Sequence, residues 1–161
     1  MNWRWIWKGS AGPGDLIEEW LDERPLPEGL AAAVNEHWER RLAEAGAAGL
    51  RLFDGPVAHL ESAEGLCLRL RPARYRHGDY SAGRHAEIES AHGPGSACRP
   101  LALCAALITA DGQLLLQRRS EEVAEGGGLL HVPGGHLDPA RHRRGEGPSA
   151  WQPWARSCER N

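Results

Sequence analysis

Apolar residues recur at helical spacing between residues 28 and 46. The recurring positions lie three or four residues apart, and they are Leu30, Val34, Trp38, Leu42 and Ala45. That spacing places them on one face of an α-helix, and Gly46 is a suitable residue to end it. The pattern therefore predicts one long helix whose apolar face packs against the rest of the protein.

A second, shorter helix is predicted upstream of the long one. Asp15 is a residue type that caps helix N-termini, and the chain from there through Trp20 to about Arg24 can extend a helix. Residues 25–27 read Pro-Leu-Pro and interrupt it, because proline has no backbone N–H to donate. Residues 1–24 are therefore expected to form a lead-in and this short helix.

Alternation of apolar and polar residues replaces the helical spacing after residue 50. It occurs at residues 50–53, 57–60 and 66–70. Such alternation is typical of strands with one buried face. The long helix and these strands are expected to form one region, residues 25–100. Its final part, residues 75–100, is polar and glycine-rich and is expected to form a long loop.

Two apolar runs follow, at residues 101–109 and 114–118, and Asp111-Gly112 lies between them. An Asp-Gly pair between two such runs predicts a β-hairpin. A further strand is predicted at residues 129–132, and the Pro-Gly-Gly at residues 133–135 ends it. Strands interspersed with helices, without an internal repeat, predict an α/β or α+β fold with a mixed sheet.

Charge and composition narrow the functional classes. The 161 residues suit about one domain. Nineteen basic and 22 acidic residues give a formal charge of −3, which argues against a nucleic-acid-binding protein. No apolar run reaches the roughly 18 residues of a membrane span. The four cysteines have no CxxC spacing, so reduced, buried thiols and a cytoplasmic location are expected.

The candidate chemistry lies where two predicted strands end. Arg118 and Arg119 end one strand, and Gly134 and Gly135 follow the other. Guanidinium groups bind phosphate oxygens through paired hydrogen bonds, and two glycines let the backbone approach a ligand or a metal. Neighbouring strand residues point to opposite faces, so at most one of the two arginines is expected to face a substrate. Taken alone, a Pro-Gly-Gly segment is more often an ordinary turn than a binding site.

These segments resemble the signature of the Nudix hydrolases, and particularly the branch that cleaves UDP-glucose and UDP-galactose. The matching segments are Arg-Arg-Ser at residues 118–120, Val-Ala-Glu at 123–125 and Val-Pro-Gly-Gly-His at 132–136, with further likeness at 24–27, 38–42, 52–56 and 75–76. The likeness spans roughly residues 24–139. It identifies residues 101–139 as the first part of a Nudix domain.

The resemblance implies a mixed sheet with flanking helices and a reaction that depends on Mg²⁺ or Mn²⁺. In that reaction UDP-glucose or UDP-galactose is cleaved to UMP and a sugar 1-phosphate. The implied site residues are Tyr75, Arg76, Arg118 and Arg119 for the nucleotide sugar, Gly134, Gly135 and His136 for the turn of the Nudix box, and Gly135 and Asp138 for the metal. The family's catalytic glutamates come from a helix that follows the two glycines.

Residues 140–161 depart from the family's pattern, because they contain no paired glutamates and no catalytic residue is assigned in them. GC-rich codons for residues 150–161, translated from one base earlier, give Leu-Ala-Ala-Leu-Gly-Ala-Glu-Leu-Arg-Glu-Glu. That sequence is amphipathic and contains the missing glutamate pattern. We therefore hypothesise a frameshift between about residues 139 and 150. Residues 140–161 are then an aberrant tail, disordered or frameshifted, and the sheet is incomplete at its C-terminus.

Two functional interpretations compete with that of an active nucleotide-sugar hydrolase. A chain without the glutamate helix is expected to be inactive, so it is either a non-catalytic nucleotide-binding remnant or the product of a non-functional gene fragment. A zinc site is a further alternative, formed by His131, His136 and His142 with Cys98 or Cys104. Its spacings match no recognised zinc pattern.

Overall fold

A computed structural model describes residues 8–12 and 15–142. The beginning of the predicted lead-in, and the predicted tail from residue 143 onward, lie outside the described residues. Helices and short mixed sheets occur together in the described part of the chain. This confirms the predicted α+β class.

The described elements follow the chain in eleven segments. The helices are α1 (Glu28–Ala47), α2 (Tyr75–Ser81), α3 (His85–His92) and α4 (Pro139–His142). The strands are β1 (Ile17–Trp20), β2 (Pro56–Glu64), β3 (Cys67–Arg74), β4 (Ala102–Cys104), β5 (Gln117–Arg118), β6 (Leu130–His131) and β7 (Gly134–His136). The first three strands form one sheet in the order β1-β3-β2, and β4 pairs with β7 and β5 with β6.

The segment predicted as a short helix from Asp15 is the strand β1, so that prediction is wrong. β1 pairs with β3 in parallel, with Trp20 opposite Leu70. Trp20 packs against the buried cluster that contains Leu70. The pairing partner lies 50 residues further along the chain, and its hydrogen bonds and this apolar contact outweigh the local helical tendency.

The helix α1 confirms the predicted long helix almost residue for residue. Leu30, Val34, Trp38 and Ala45 are buried, whereas Leu42 remains 37% exposed. Leu30 and Val34 form a core cluster with Ile88 of α3 and Ala97. Complete burial of a leucine or valine side chain stabilises the fold by about 1.5–3 kcal/mol, so this cluster holds α1 and α3 together.

The segment predicted as a long loop, residues 75–100, contains the two helices α2 and α3, so that prediction is also wrong. Its histidines bond to the backbone: His77 Nε2 lies 2.9 Å from the Ser96 carbonyl oxygen, and His85 Nε2 lies 3.1 Å from that of Cys98. The polar side chains thus tie the segment together internally, which the sequence pattern does not distinguish from solvent exposure.

Hydrogen bonds join the short β4–β7 pair to the first sheet. The Leu101 N–H donates to the Ala58 carbonyl, the Ala58 N–H to Leu137 and the Leu137 N–H to Leu101, at 2.8–2.9 Å. The side chains of Ala58, Leu70 and Leu137 form a second buried cluster beneath this junction. The junction places β7 beside the start of β2.

The predicted hairpin around residues 111–112 is present, but its strands are short. Ile108 and Leu114 form an antiparallel bridge, and Gly112 has a φ of 82°, a value that suits glycine. Residues 50–53, also predicted as a strand, form only a single bridge at Arg51, and Phe53 is 79% exposed.

An apolar face remains exposed on the hairpin and on the β5–β6 pair. Its side chains are Ile108, Leu114, Leu115, Leu116, Leu129 and Leu130. Of the cysteines in the described part, Cys67, Cys98 and Cys104 are free thiols, but only Cys98 is buried, so the expectation of buried thiols is wrong for Cys104, which is exposed. Within the described residues, no helix has both the length and the apolar character to cross a membrane.

Candidate functional site

A cleft of about 640 Å³ lies where β7, the start of β2 and the start of α2 meet. Its walls include Tyr75, Arg119, Gly134, Gly135 and His136, which are five of the predicted site residues. Asp138 also lines the cleft, whereas Arg76 and Arg118 are not among its lining residues. The structure therefore brings six of the eight predicted residues together, although Tyr75 and Asp138 are 63 positions apart in the chain.

The two glycines form the strand β7 and not a turn, so the predicted turn is wrong. Gly134 pairs with Cys104 of β4. A Cβ atom on Gly134 would lie 2.5 Å from the Leu103 carbonyl oxygen and 2.8 Å from the Cys104 Sγ, which leaves no space for a side chain. A Cβ atom on Gly135 would meet nothing within 4 Å. Gly134 thus serves strand packing, and Gly135 leaves open space in the cleft.

Aromatic rings stack edge to face on one wall of the cleft. The rings of Tyr75 and His136 have centroids 5.5 Å apart, and the rings of Trp38 and Tyr75 have centroids 6.0 Å apart. Burial raises the pKa of Tyr75 to about 12, with further contributions from the charges of Glu125 and Asp79. Burial lowers the pKa of His136. Both rings are therefore uncharged at neutral pH and offer an apolar surface beside polar groups.

Charged groups that are linked by hydrogen bonds support this wall. Arg41 on α1 donates to Asp79 on α2 at 3.3 Å and to Glu125 at 3.3 Å. His37 Nε2 lies 2.7 Å from the same Asp79 carboxylate. Hydrogen bonding to Asp79 raises the pKa of Arg41 despite the opposing effect of burial. Glu125 lines the cleft, so Arg41 places a carboxylate next to Tyr75.

The sequence analysis assigned no site role to Glu125 or Trp38. Glu125 belongs to the Val-Ala-Glu segment, whose resemblance to the family was the available signal. Trp38 lies on the apolar stripe of α1, and helical spacing alone gives no indication that its ring also supports Tyr75. Cys104 and His131 line the cleft as well.

The two neighbouring arginines have different surroundings. Arg119 lines the cleft. Arg118 lies in β5, and its Nη1 donates to the Gly128 carbonyl at 2.8 Å. This is the division expected for adjacent residues of an extended chain, where successive side chains point to opposite faces.

Arg76 turns away from Tyr75, its neighbour in sequence. Its backbone N–H donates to Asp54 Oδ1 at 3.0 Å, and its Nε lies 3.3 Å from Asp54 Oδ2. Asp54 thus caps the first turn of α2, where N–H groups lack intrahelical partners, and it also holds the Arg76 guanidinium. Arg76 lines a different cavity.

The described residues do not provide a ligand set for Mg²⁺ or Mn²⁺. Asp138 Oδ1 accepts the N–H of Ala140 at 2.9 Å, and Oδ2 lies 3.4 Å from Arg141 Nε, so this carboxylate caps α4. No group of three or more His, Cys, Asp or Glu side chains in the described part of the chain could hold a metal ion. Mg²⁺ takes six oxygen ligands in octahedral geometry and usually combines one or two available carboxylates with several waters and substrate phosphates. The same result applies to the zinc alternative within the described residues. His131, His136 and Cys104 line the cleft but do not form such a group, and Cys98 is buried and is not a lining residue. The side chain of His142 lies outside the described residues.

Comparison with known proteins identifies relatives over most of the chain. No protein-family model matches it. The chain is similar to the uridine diphosphate glucose pyrophosphatase NUDT22 of Homo sapiens, with 37% identity over 154 residues that cover 81% of this chain and 48% of the relative. The NUDT22 proteins of Mus musculus and Bos taurus are 36% and 35% identical, covering 73% and 84% of this chain and 42% and 54% of their own lengths. The chain thus spans about half the length of the curated relatives it matches. These relatives are Nudix hydrolases, and the similarities confirm the predicted resemblance of this chain to that family.

Proposed function

We propose that the cleft binds a nucleoside diphosphate sugar of the UDP-glucose or UDP-galactose type. The observation that carries this proposal is the convergence of Tyr75, Arg119 and His136 on one cleft, in a chain similar to a uridine diphosphate glucose pyrophosphatase. A volume of about 640 Å³ lies within the range of roughly 300–1,000 Å³ that small-molecule sites occupy.

Each of these groups suits one part of the ligand. The Arg119 guanidinium pairs with the diphosphate oxygens, because its planar N–H groups match phosphate geometry. The uncharged rings of Tyr75 and His136 offer an apolar surface for the base or the sugar. Gly135 leaves room for the ligand to approach the backbone of β7. Residues 25–100 thereby supply Tyr75, and residues 101–139 supply His136, the arginine and the glycines.

By the resemblance, an intact member of the family would cleave the nucleotide sugar to UMP and a sugar 1-phosphate. It would use Mg²⁺ or Mn²⁺ and act in the cytoplasm. The described residues of this chain do not assemble a metal cage, since Asp138 caps α4 and no suitable cluster of ligands surrounds it. We therefore assign binding without turnover to the described part. The frameshift hypothesis supplies a reason: the glutamate helix is encoded in another frame.

Isothermal titration calorimetry with UDP-glucose tests the binding site. Wild-type protein should bind saturably. Arg119→Met should weaken binding about 10- to 150-fold, because a hydrogen bond to a charged group contributes about 1.5–3 kcal/mol. Arg118→Met is the matched control, since Arg118 contacts the Gly128 carbonyl outside the cleft, and it should leave the affinity unchanged. Equal affinity in wild type and Arg119→Met would overturn the proposal.

A separate assay distinguishes the remaining interpretations. Chromatography of UDP-glucose incubated with the protein and Mg²⁺ should show no UMP above the rate without protein. Metal-dependent UMP release would show that this chain is an active hydrolase. The absence of both binding and release would identify a product of a non-functional gene fragment.

A further inference from the structure

A second cavity lies apart from the cleft. Its volume is about 360 Å³, and it shares no lining residue with the cleft. One wall is apolar and comes from α1 and the segment that leads into it, and it includes Pro25, Leu26, Pro27 and Val34. The facing wall comes from β2, β3 and the beginning of α2. We call this space the arginine cavity, after the lining residues Arg24, Arg71, Arg74 and Arg76.

The arginines of this cavity are fixed in position by carboxylates. Arg24 and Arg71 both donate to Glu61, at 2.7 and 2.9 Å. The other two arginines share Asp54, whose Oδ2 lies 2.9 Å from Arg74 Nε and 3.3 Å from Arg76 Nε. Burial alone would raise the pKa of Glu61, but the hydrogen bonds from Arg71 and Arg24 outweigh it and lower the pKa. These guanidinium groups are therefore held in place before any ligand arrives.

Each guanidinium retains N–H donors beyond those contacts. An arginine has five N–H donors. Arg71 donates from Nε to Glu61 and from Nη1 to the Asp22 carbonyl, and Arg24 donates from Nη1 to Gly95 and from Nη2 to Glu61. Glu61 and Asp54 are not among the lining residues, and the carboxylate that lines the cavity is that of Glu23. Four guanidinium groups thus stand against the three carboxylates of Glu23, Glu61 and Asp54, so the net charge of these groups is positive.

A buried histidine adds an oriented donor to this cavity. His59 on β2 is 5% exposed and lines the cavity. Its Nδ1 accepts the Arg99 N–H at 2.9 Å, so the neutral ring carries its hydrogen on Nε2. Among the described residues, this Nε2 has no hydrogen-bond partner. The Glu61 Oε2 lies 3.5 Å away without hydrogen-bond geometry. An unsatisfied buried donor is unfavourable, so a small movement that brings an acceptor from the cavity to Nε2 stabilises the complex.

We propose that the arginine cavity binds the phosphoryl group of a small phosphate compound, with His59 Nε2 and the guanidinium groups of Arg71 and Arg76 as donors. A phosphoryl group carries about −1.5 to −2 charge and three acceptor oxygens at neutral pH. It therefore suits several convergent arginines, whereas one bidentate arginine already satisfies a carboxylate. The apolar wall beside Leu26 gives space for an attached organic group such as a sugar.

Calorimetric titration with inorganic phosphate and with glucose 1-phosphate, at constant ionic strength in chloride buffer, tests this site. One-to-one saturable binding is expected. His59→Leu removes the donor and should weaken binding about tenfold or more, and His59→Gln, which keeps an N–H donor, should restore part of it. Arg76→Met, at a partly exposed position, should weaken binding by a similar factor. It provides an independent test if His59→Leu does not fold.

Arg119→Met separates this cavity from the cleft. It should leave the affinity for phosphate and glucose 1-phosphate unchanged, whereas His59→Leu should leave UDP-glucose binding in the cleft unchanged. Tighter binding of glucose 1-phosphate than of phosphate supports a site for a sugar phosphate, and equal affinities support a site for phosphate itself. The proposal is overturned by a lack of saturable binding. It is also overturned if His59→Leu and Arg76→Met both retain wild-type affinity, or if Arg119→Met alone loses it.

Discussion

Lowering the pH should destabilise the protein, and the buried His59 should make a large contribution to that loss. Burial lowers the pKa of His59 to about 4 from its usual 6.5, and Glu61 opposes this shift while nearby positive groups reinforce it. Those positive groups are His77, Arg99 and Arg24. The unfolded chain therefore binds a proton on this ring near pH 6.5, where the folded protein does not. The stabilising effect of a neutral His59 is complete above pH 6.5 and declines as the pH falls toward 4.

The difference in pKa sets the size of this effect. One pKa unit corresponds to 1.36 kcal/mol, so the complete loss is about 3 kcal/mol, of which about 2 kcal/mol falls between pH 7 and pH 5. His59 is almost fully buried, so solvent reduces this value little. A loss of that size is a large part of the roughly 5–15 kcal/mol that stabilises a typical domain.

This loss of stability can be measured by urea denaturation of the wild type and of His59→Gln. The measurements are made at several pH values between 7 and 5 in phosphate-free buffer. The free energy of unfolding of the wild type should fall by about 2 kcal/mol more than that of the variant over this interval. His92→Gln is the matched control, because His92 is exposed at the end of α3, and it should follow the wild type. Parallel pH profiles for wild type and His59→Gln would refute the reasoning.

Three further predictions concern the cleft and the end of the chain. Gly134→Ala should lower the free energy of unfolding by about 1–3 kcal/mol, because its methyl group meets the backbone of β4, whereas Gly135→Ala should fold normally in thermal denaturation. Tyr75→Leu should weaken UDP-glucose binding several-fold in calorimetry through loss of the ring beside His136, and Tyr75→Phe should retain most of it. Sequencing the coding DNA beyond codon 161 should show the glutamate helix in the shifted frame, and a closed shifted frame would end the frameshift hypothesis.

The long helix and the central strands follow directly from the sequence. The periodicity of α1 reports which side of the helix is buried. The alternation predicted the strands β2 and β3 but not their burial, since three consecutive residues of β2, Val57 to His59, are all buried. The strand β1 is different. It has four residues and is stabilised by pairing with β3, so a local pattern of four residues contains too little information to distinguish it from a helix.

The site residues were partly predictable for a similar reason. The local motif indicated the two glycines and the arginine pair, and the alternation of strand side chains predicted that at most one arginine faces the site. Only the structure shows that this arginine is Arg119. The placement of Arg76 does not follow, because it depends on Asp54, which lies 22 residues upstream and binds both its backbone and its side chain. The support of Tyr75 by Trp38 likewise requires the tertiary packing of α1 on α2.

The structure of the protein with bound UDP-glucose is the most direct test of the proposed function. The account predicts that the nucleotide sugar lies in the cleft, with a diphosphate oxygen about 3 Å from the Arg119 guanidinium and the ligand against the Tyr75 and His136 rings. A nucleotide sugar bound in the arginine cavity instead, or no ordered ligand at saturating concentration, would contradict the account.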